Sequence, residues 1–307
     1  MTPGVFRSLS RWGSIGPALL LVAAGCVALP GFQSAPRPFL FEVERNSPAF
    51  VFGTLHLPDE RLLELPLSVT AALEESDVLY NEVLLAPGDE PKLAGELPEP
   101  EVLPPLSQRV PPDVYARIQD YLRKEGKLTS LFDRAPLWVV TQQLALVDYV
   151  GVTTLPLDFF LAKQAQAAGL ELGGLETPTE QLEALGARDP EAELRALQRT
   201  LEDLEWLQER GRDPVEALIR TYLGGSTEKL HAYMHSQVDS SDPEEVAYIE
   251  ALLDARSVSM AASIADVLEQ RQDRAIFFAV GAGHLVGPRN VIEELRKRGF
   301  AVERSAP

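Results

Sequence analysis

The chain alternates between short, nearly all-apolar runs and long amphipathic stretches, and the two kinds of segment occupy different places. Near the start, residues 39–43 alternate in part, and 49–52 is a continuous apolar run ended by Gly53. Short apolar runs bounded by turn formers predict strands, here two strands flanking an Asn46-Ser47-Pro48 turn. Helical spacing over 62–75 leads into 78–84, which reads as a buried strand. Residues 86–112 are crowded with Pro and Glu and predict a long loop or insertion. Amphipathic helices are predicted over 113–124, 137–149 and 157–168, and a strand over 170–174. Longer helical patterns cover 178–210, 213–237 and 243–270. A strand at 275–280, a helix at 289–298 and a strand at 300–303 close the chain. Strands at both ends with helices between them predict a mixed α/β (α+β) fold. The expectation is a single domain, with a central mixed sheet built from N- and C-terminal strands and a large helical middle region.

Composition agrees with a packed domain. Of the 307 residues, 45% are apolar and 24% charged, which is ordinary for a globular protein and supplies a sizeable core. The formal net charge of -18 repels polyanions, so nucleic acid is excluded as a partner.

The N-terminus stands apart from the domain. Arg7 and Arg11 precede an apolar stretch over 16–24 that is short for a membrane span, the order of an export signal. Cys26, the only cysteine, follows Ala23-Ala24-Gly25, which resembles a bacterial lipobox with Ala23 where leucine is commoner. An unpaired cysteine in an oxidising compartment otherwise lacks a purpose. The expectation is a signal peptide over 1–25, lipidation at Cys26 and a tether over 26–38. The protein would then be an exported lipoprotein of the bacterial cell envelope, in the periplasm or at the outer membrane, meeting the membrane through its lipid. An ordinary cleaved signal with an incidental cysteine is the alternative. One cysteine excludes an intramolecular disulfide and a thiolate metal cluster.

The chemistry-bearing residues show an internal echo. A short apolar strand ends in Gly-x-x-His twice, at Gly53-Thr54-Leu55-His56 and at Gly281-Ala282-Gly283-His284. Glycine lets the backbone turn sharply, and the strand ends of open α/β sheets are where ligands bind. Histidine placed there can ligate a metal or exchange protons near neutral pH. These are two of only four histidines; structural histidines capping turns are the plainer alternative. Glu82 lies within an apolar strand, so it is paired, solvated at a strand end, or bound to a cation. With His56 and His284 it could complete a two-histidine, one-carboxylate site. Asp158 and Glu176 are further candidates at element boundaries, where an exposed acid is equally ordinary. His231 and His235 are one helical turn apart, but Ala232, Tyr233 and Met234 stand between them without a protease-type glutamate. A solvated or packing role is expected for that pair. No Gly-rich phosphate loop or Gly-x-Ser-x-Gly elbow is present.

Four segments carry a resemblance: GTLH at 53–56, the stretch ending in SDVLYNEV, LPLDFFLAKQAQAAGLELGGLETPTEQLEAL, and FFAVGAGHLVGPRNVIEELRKRGFAVER. Together they resemble the TraB/GumN proteins over residues 39–304. These are relatives of the Tiki metalloproteases and, more distantly, of haem-binding ChaN lipoproteins and erythromycin esterases. The family pattern pairs two GxxH motifs with a glutamate after the first helix and an Arg-Asn pair before the last strand. Carried over, these fall on His56, His284, Glu82 and Arg256, while the asparagine position holds Ser257. The resemblance implies a metal-dependent hydrolase, of peptidase type, acting on a peptide or protein substrate. His56, His284 and Glu82 would hold a divalent manganese, cobalt or zinc ion. Glu82, if not a ligand, would serve as general base, and Arg256 would stabilise an oxyanion or hold a substrate carboxylate. The ChaN-like branch keeps open a non-catalytic haem- or metal-binding envelope lipoprotein.

Overall fold

The hairpin of β1 (Leu40–Val43) and β2 (Ala49–Thr54) opens the sheet, followed by β3 (Val78–Val83), β4 (Glu171–Glu176), β5 (Ile276–Gly281) and β6 (Val302–Arg304). The computed structural model describes residues 37–84, 103–213 and 215–306. Cys26, the signal segment, all but the end of the tether, and residues 85–102 of the predicted loop therefore lie outside the described residues. The strands form one mixed sheet in the order β4-β3-β5-β2-β1-β6. β2, β5, β3 and β4 run parallel, while β1 is antiparallel to both β2 and β6. Every residue of β2, β3 and β5 is buried, as parallel strands covered on both faces must be, which is why they read as unbroken apolar runs.

Register aligns the ends of these strands. Ala49 and Val78 both pair with Ile276, Thr54 pairs with Gly281, and Val83 pairs with Glu176. The carboxyl ends of four parallel strands thus meet along one edge, the usual ligand-binding edge of an open sheet.

The main helices among the described residues are α1 (Leu67–Glu74), α2 (Pro112–Lys124), α3 (Leu137–Ala145), α4 (Leu157–Ala168), α5 (Pro178–Leu185), α6 (Pro190–Gln208), α7 (Glu216–Leu223), α8 (Thr227–Ser236), α9 (Pro243–Ile249), α10 (Arg256–Gln270) and α11 (Val291–Lys297), and a further short helix, Leu106–Arg109, lies inside the stretch expected as a loop. Several starts carry local signals. Asp189 caps α6 ahead of Pro190, Asp242 caps α9 ahead of Pro243, and Thr177 with Glu180 closes a capping box on α5. Side chains alternate along β3: Asn81 donates to the carbonyl of Asp158 in α4, while Glu82 meets Arg256 of α10. The two helices therefore cover opposite faces of the sheet. Away from the sheet, α2, α3 and α6 bury Val114, Ile118, Val140, Leu144, Leu197 and Leu201 in a second core of their own.

Some predicted boundaries differ. The helix expected from residue 62 starts at Leu67, because Pro66 fits a helix entrance and leaves only a 3-10 turn before it. The pattern over 178–210 is two helices, broken at Gly186 and restarted by the Asp189 cap. That over 213–237 is also two, separated at Gly224-Gly225. Residues 243–270 are helical throughout but pass through a π-helical stretch, Glu250–Ala255, immediately before Arg256.

Candidate active site

Four strand ends supply the site. β2 delivers His56 two residues past its end, β3 carries Glu82, β4 ends on Glu176, and β5 leads through a 3-10 turn to His284. α4 adds Asp158 in its first turn, and α10 adds Arg256 and Ser257 in its own. The structure brings together His56, Glu82, Asp158, Glu176, Arg256 and His284. It leaves His231 and His235 apart, exposed on α8 with ring centroids 6.0 Å from each other.

Glu82 is the hub. Its Oε1 lies 3.6 Å from Nε2 of His56 and 3.8 Å from Nε2 of His284, and it accepts the backbone N–H of Gly281 at 2.6 Å. Its Oε2 accepts from Arg256 at 2.7 Å and from Gln181 at 3.1 Å. Arg256 also bonds Glu176 through two nitrogens, and Gln181 reaches Glu176 at 3.1 Å. One guanidinium and one amide thus bridge two buried carboxylates.

Each imidazole is fixed from behind. Nδ1 of His56 lies 2.6 Å from Oδ2 of Asp158, whose other oxygen accepts from Thr54 at 2.5 Å. Nδ1 of His284 lies 2.9 Å from the hydroxyl of Ser257. Both Nε2 atoms are left facing Glu82. His284 is buried, whereas 57% of the His56 side chain is exposed, so the recess opens on the His56 side.

The environments pull the two histidines in opposite directions. The Asp158 carboxylate beside His56 holds its imidazole well above the usual histidine range. Burial pushes His284 down to about 4, so it is neutral at physiological pH and ready to donate a lone pair. Desolvation works against the charge on Glu82, but His56, His284 and Arg256 outweigh it and hold the carboxyl well below its usual range. Burial likewise disfavours the Arg256 charge, and Glu176 and Glu82 overcome it.

Two imidazoles and a carboxylate are donors of the kind that bind divalent ions. A Cβ on Gly281 would lie 3.0 Å from Glu82 Oε1, 3.2 Å from His56 Nε2 and 3.6 Å from His284 Cδ2, so the glycine leaves a small space bounded by all three side chains. Donors about 2.0–2.1 Å from a tetrahedral ion stand roughly 3.3 Å apart, a few tenths of an ångström less than the separations here. Among the described residues no group of three or more His, Cys, Asp or Glu is arranged so that it could hold a metal ion as it stands. With His56 protonated, three carboxylates against one guanidinium and one imidazolium leave a formal charge of -1, and loss of the His56 proton, which ligation requires, leaves -2, the charge a divalent cation offsets.

Sequence reasoning missed Thr54 and Gln181. Thr54 sits inside the GxxH motif and was readable there. Gln181 follows the α5 capping box and carried no signal of its own. Ser257 was noted only as a departure from an asparagine, yet its buried hydroxyl partners His284.

The chain is 27% identical to the metalloprotease TIKI2 of Xenopus tropicalis, over 95% of this chain and 64% of that protein. It is 26% identical to the metalloprotease TIKI1 of Danio rerio, over 88% of this chain and 64% of the relative, and 26% identical to human TIKI1, over 91% and 64%. The chain thus spans a little under two thirds of the length of these relatives. No solved structure matches it. The model of the TraB/PrgY/gumN family matches residues 39–304, and the chain belongs to that family.

Proposed function

We propose that this protein is a metal-dependent peptidase whose ion is held by His56, His284 and Glu82. The observation that carries the reading is the convergence of two histidine Nε2 atoms on one carboxylate oxygen, with each Nδ1 held by a hydrogen-bonding partner. The metalloprotease names of the similar proteins support it. Manganese, cobalt and zinc all suit two imidazoles and a carboxylate. Bound there, the ion supplies Lewis acidity, acidifying water and polarising a carbonyl.

The remaining work falls to the protein's own groups. Asp158 takes the Nδ1–H of His56, and Ser257 that of His284, so each ring presents its Nε2 to Glu82, bare on His284 and bare on His56 once its second proton is lost. Arg256 and Gln181 hold Glu82 by Oε2 and leave Oε1 turned to the histidines. A carboxylate so strongly held in its charged form is a poor proton acceptor, which favours a ligand role for Glu82 over general base. Arg256 is already engaged by two carboxylates and the Leu252 carbonyl. It therefore acts on substrate through Glu82 and Glu176, as a positioning residue. The proposal also puts the protein in the bacterial cell envelope, exported by residues 1–25 and anchored through Cys26, a reading supported by the sequence pattern.

Metal analysis of the purified protein, wild type beside His284→Ala and Glu82→Gln, tests the assignment. One divalent ion per chain is expected in the wild type and loss of it in both variants, together with loss of metal-dependent peptide cleavage. Undiminished metal in Glu82→Gln with turnover reduced about a hundredfold would move Glu82 to the role of base. A Soret band with no metal-dependent cleavage would replace the peptidase with a haem carrier.

A further inference from the structure

Two of the four histidines lie outside the donor cluster, and they are set as a pair. His231 and His235 are one turn apart on α8, with ring centroids 6.0 Å from each other and ring planes inclined by 27°. Two imidazoles bound to one tetrahedral ion through bonds of about 2.0–2.1 Å have their centroids roughly 5 Å apart. Both residues are exposed, so small turns about their side-chain torsions cover the difference. Among the described residues neither ring has a hydrogen-bond partner that ligation would have to displace. The Nδ1–Cε1 edge of His231 faces Gly287, where a Cβ would stand 2.9 Å from Nδ1 and 3.0 Å from Cε1. Gly287 has a φ of +85°, so its backbone and its missing side chain both suit that close approach. The contact covers the Nδ1 side of the ring and leaves Nε2 as the freer nitrogen.

Acids share the same space. His231 and His235 line a cavity of about 360 Å³ together with Glu250 and Asp254 of the π-helical stretch. The two carboxylates stand four residues apart on one element, a spacing at which like charges repel. Burial pushes the Asp254 carboxyl above its usual range; Arg289 and His231 act against that push, and Glu250 adds to it. Among the described residues neither Glu250 nor Asp254 has an ion-pair partner. Two imidazoles beside two unpaired carboxylates form a mixed donor set that suits zinc, copper or nickel better than magnesium or calcium. The side chains do not converge on one point as they stand, so an ion would draw them together from the surface.

We propose that His231 and His235 form a second metal site, separate from the first, which takes a divalent ion of the zinc type with Asp254 as its carboxylate ligand. Water fills the remaining positions, and the ion ties α8 to the π-helical stretch. The inference does not depend on the peptidase reading. Its histidines are exposed and lack the partners that hold His56 and His284 from behind. It therefore binds more weakly than the buried site and loses its ion on dialysis.

The test is a calorimetric titration of the dialysed full chain with zinc, in a His56→Ala/His284→Ala background that disables the first site. One zinc ion per chain is expected there. Adding His231→Ala or His235→Ala should remove it, and adding Asp254→Asn should weaken it by at least roughly tenfold. Zinc should also raise the thermal midpoint of the background protein and not that of the same protein carrying His231→Ala. Absence of bound zinc in the background, or zinc that persists when His231 and His235 are replaced, overturns the second site. Unchanged affinity in Asp254→Asn overturns its carboxylate ligand. Should the background not fold, wild type and His231→Ala are titrated instead, with two ions expected against one; equal counts overturn the proposal. An ion that His231→Ala removes and His284→Ala leaves in place would keep this site while the first assignment falls, so the two readings fail separately.

Discussion

Arg256→Met removes the one cation that sits between two buried carboxylates. Glu82 and Glu176 keep only 6% and 7% of their side chains exposed, and both bond the same guanidinium nitrogen. Their facing oxygens therefore lie within about 5 Å, where like charges repel by roughly 3 kcal/mol at an effective dielectric constant near 20. Mutational experience with broken buried pairs gives a similar figure, about 3–5 kcal/mol. The structure relieves part of this by letting one of the two carboxyls take up a proton, and the sign of that relief gives a second observable. In the variant the pair's folded-state affinity for a proton rises above its unfolded value. Its contribution to stability is then full at low pH and is lost as pH rises. In the wild type Glu82 is held well below its usual range, so its contribution is present above the unfolded carboxylate value and lost as pH falls through the folded one. The gap between the two proteins should accordingly be widest at neutral pH and shrink toward about pH 5. Arg256→Lys keeps the charge but loses the planar fork, and should cost less, about 1–2 kcal/mol. Urea unfolding at neutral and mildly acidic pH measures both variants. A loss below about 1 kcal/mol for Arg256→Met, or a gap that does not change with pH, would refute this account of the clamp.

Asp158→Asn should weaken metal affinity by about ten- to a hundredfold with the fold intact by circular dichroism, since the imidazole loses the partner that fixes its tautomer; an unchanged dissociation constant would show that Asp158 does not orient His56. Asp158 raises the pKa of His56, so metal uptake near neutral pH must expel a proton, and affinity should fall as pH is lowered. Calorimetric binding heats should then vary with the ionisation enthalpy of the buffer, and buffer-independent heats would exclude His56 as a ligand. Gly281→Ala puts a methyl group among the three donors, which should cost about 1–3 kcal/mol of stability and abolish tight metal binding; retained affinity would mean that the ion sits elsewhere. Cys26→Ala should shift the protein from the detergent phase to the aqueous phase in a partition assay, and unchanged partitioning would exclude the lipid anchor.

Local patterns revealed the parts of this molecule that are local in cause. β2, β3 and β5 are buried on both faces, and burial leaves its mark as an unbroken apolar run whatever the partner strand. The two Gly-x-x-His endings follow from the same logic, because a glycine at or next to the end of an apolar strand, with a polar group just beyond it, can be seen within a few residues, although β2 runs through Gly53 to Thr54 while β5 stops at Gly281. What could not be read was convergence. Asp158 is an acid in the first turn of a helix, where any acid is favoured by the exposed N–H groups; nothing nearby in sequence says that α4 points this turn at the end of β2. Gln181 looks like an ordinary helix surface residue until Glu82, 99 positions away, is found against it. The π-helical stretch is hidden for a different reason. Residues 243–270 have the apolar spacing of one helix, and a change from i−4 to i−5 hydrogen bonding adds no residue type of its own. That slip precedes Arg256 and Ser257, and the angular offset it introduces is inherited by both. One residue then reaches across to Glu82 and Glu176 while the next turns to His284. A uniform α-helix through the same residues would present the pair at a different angle to the sheet.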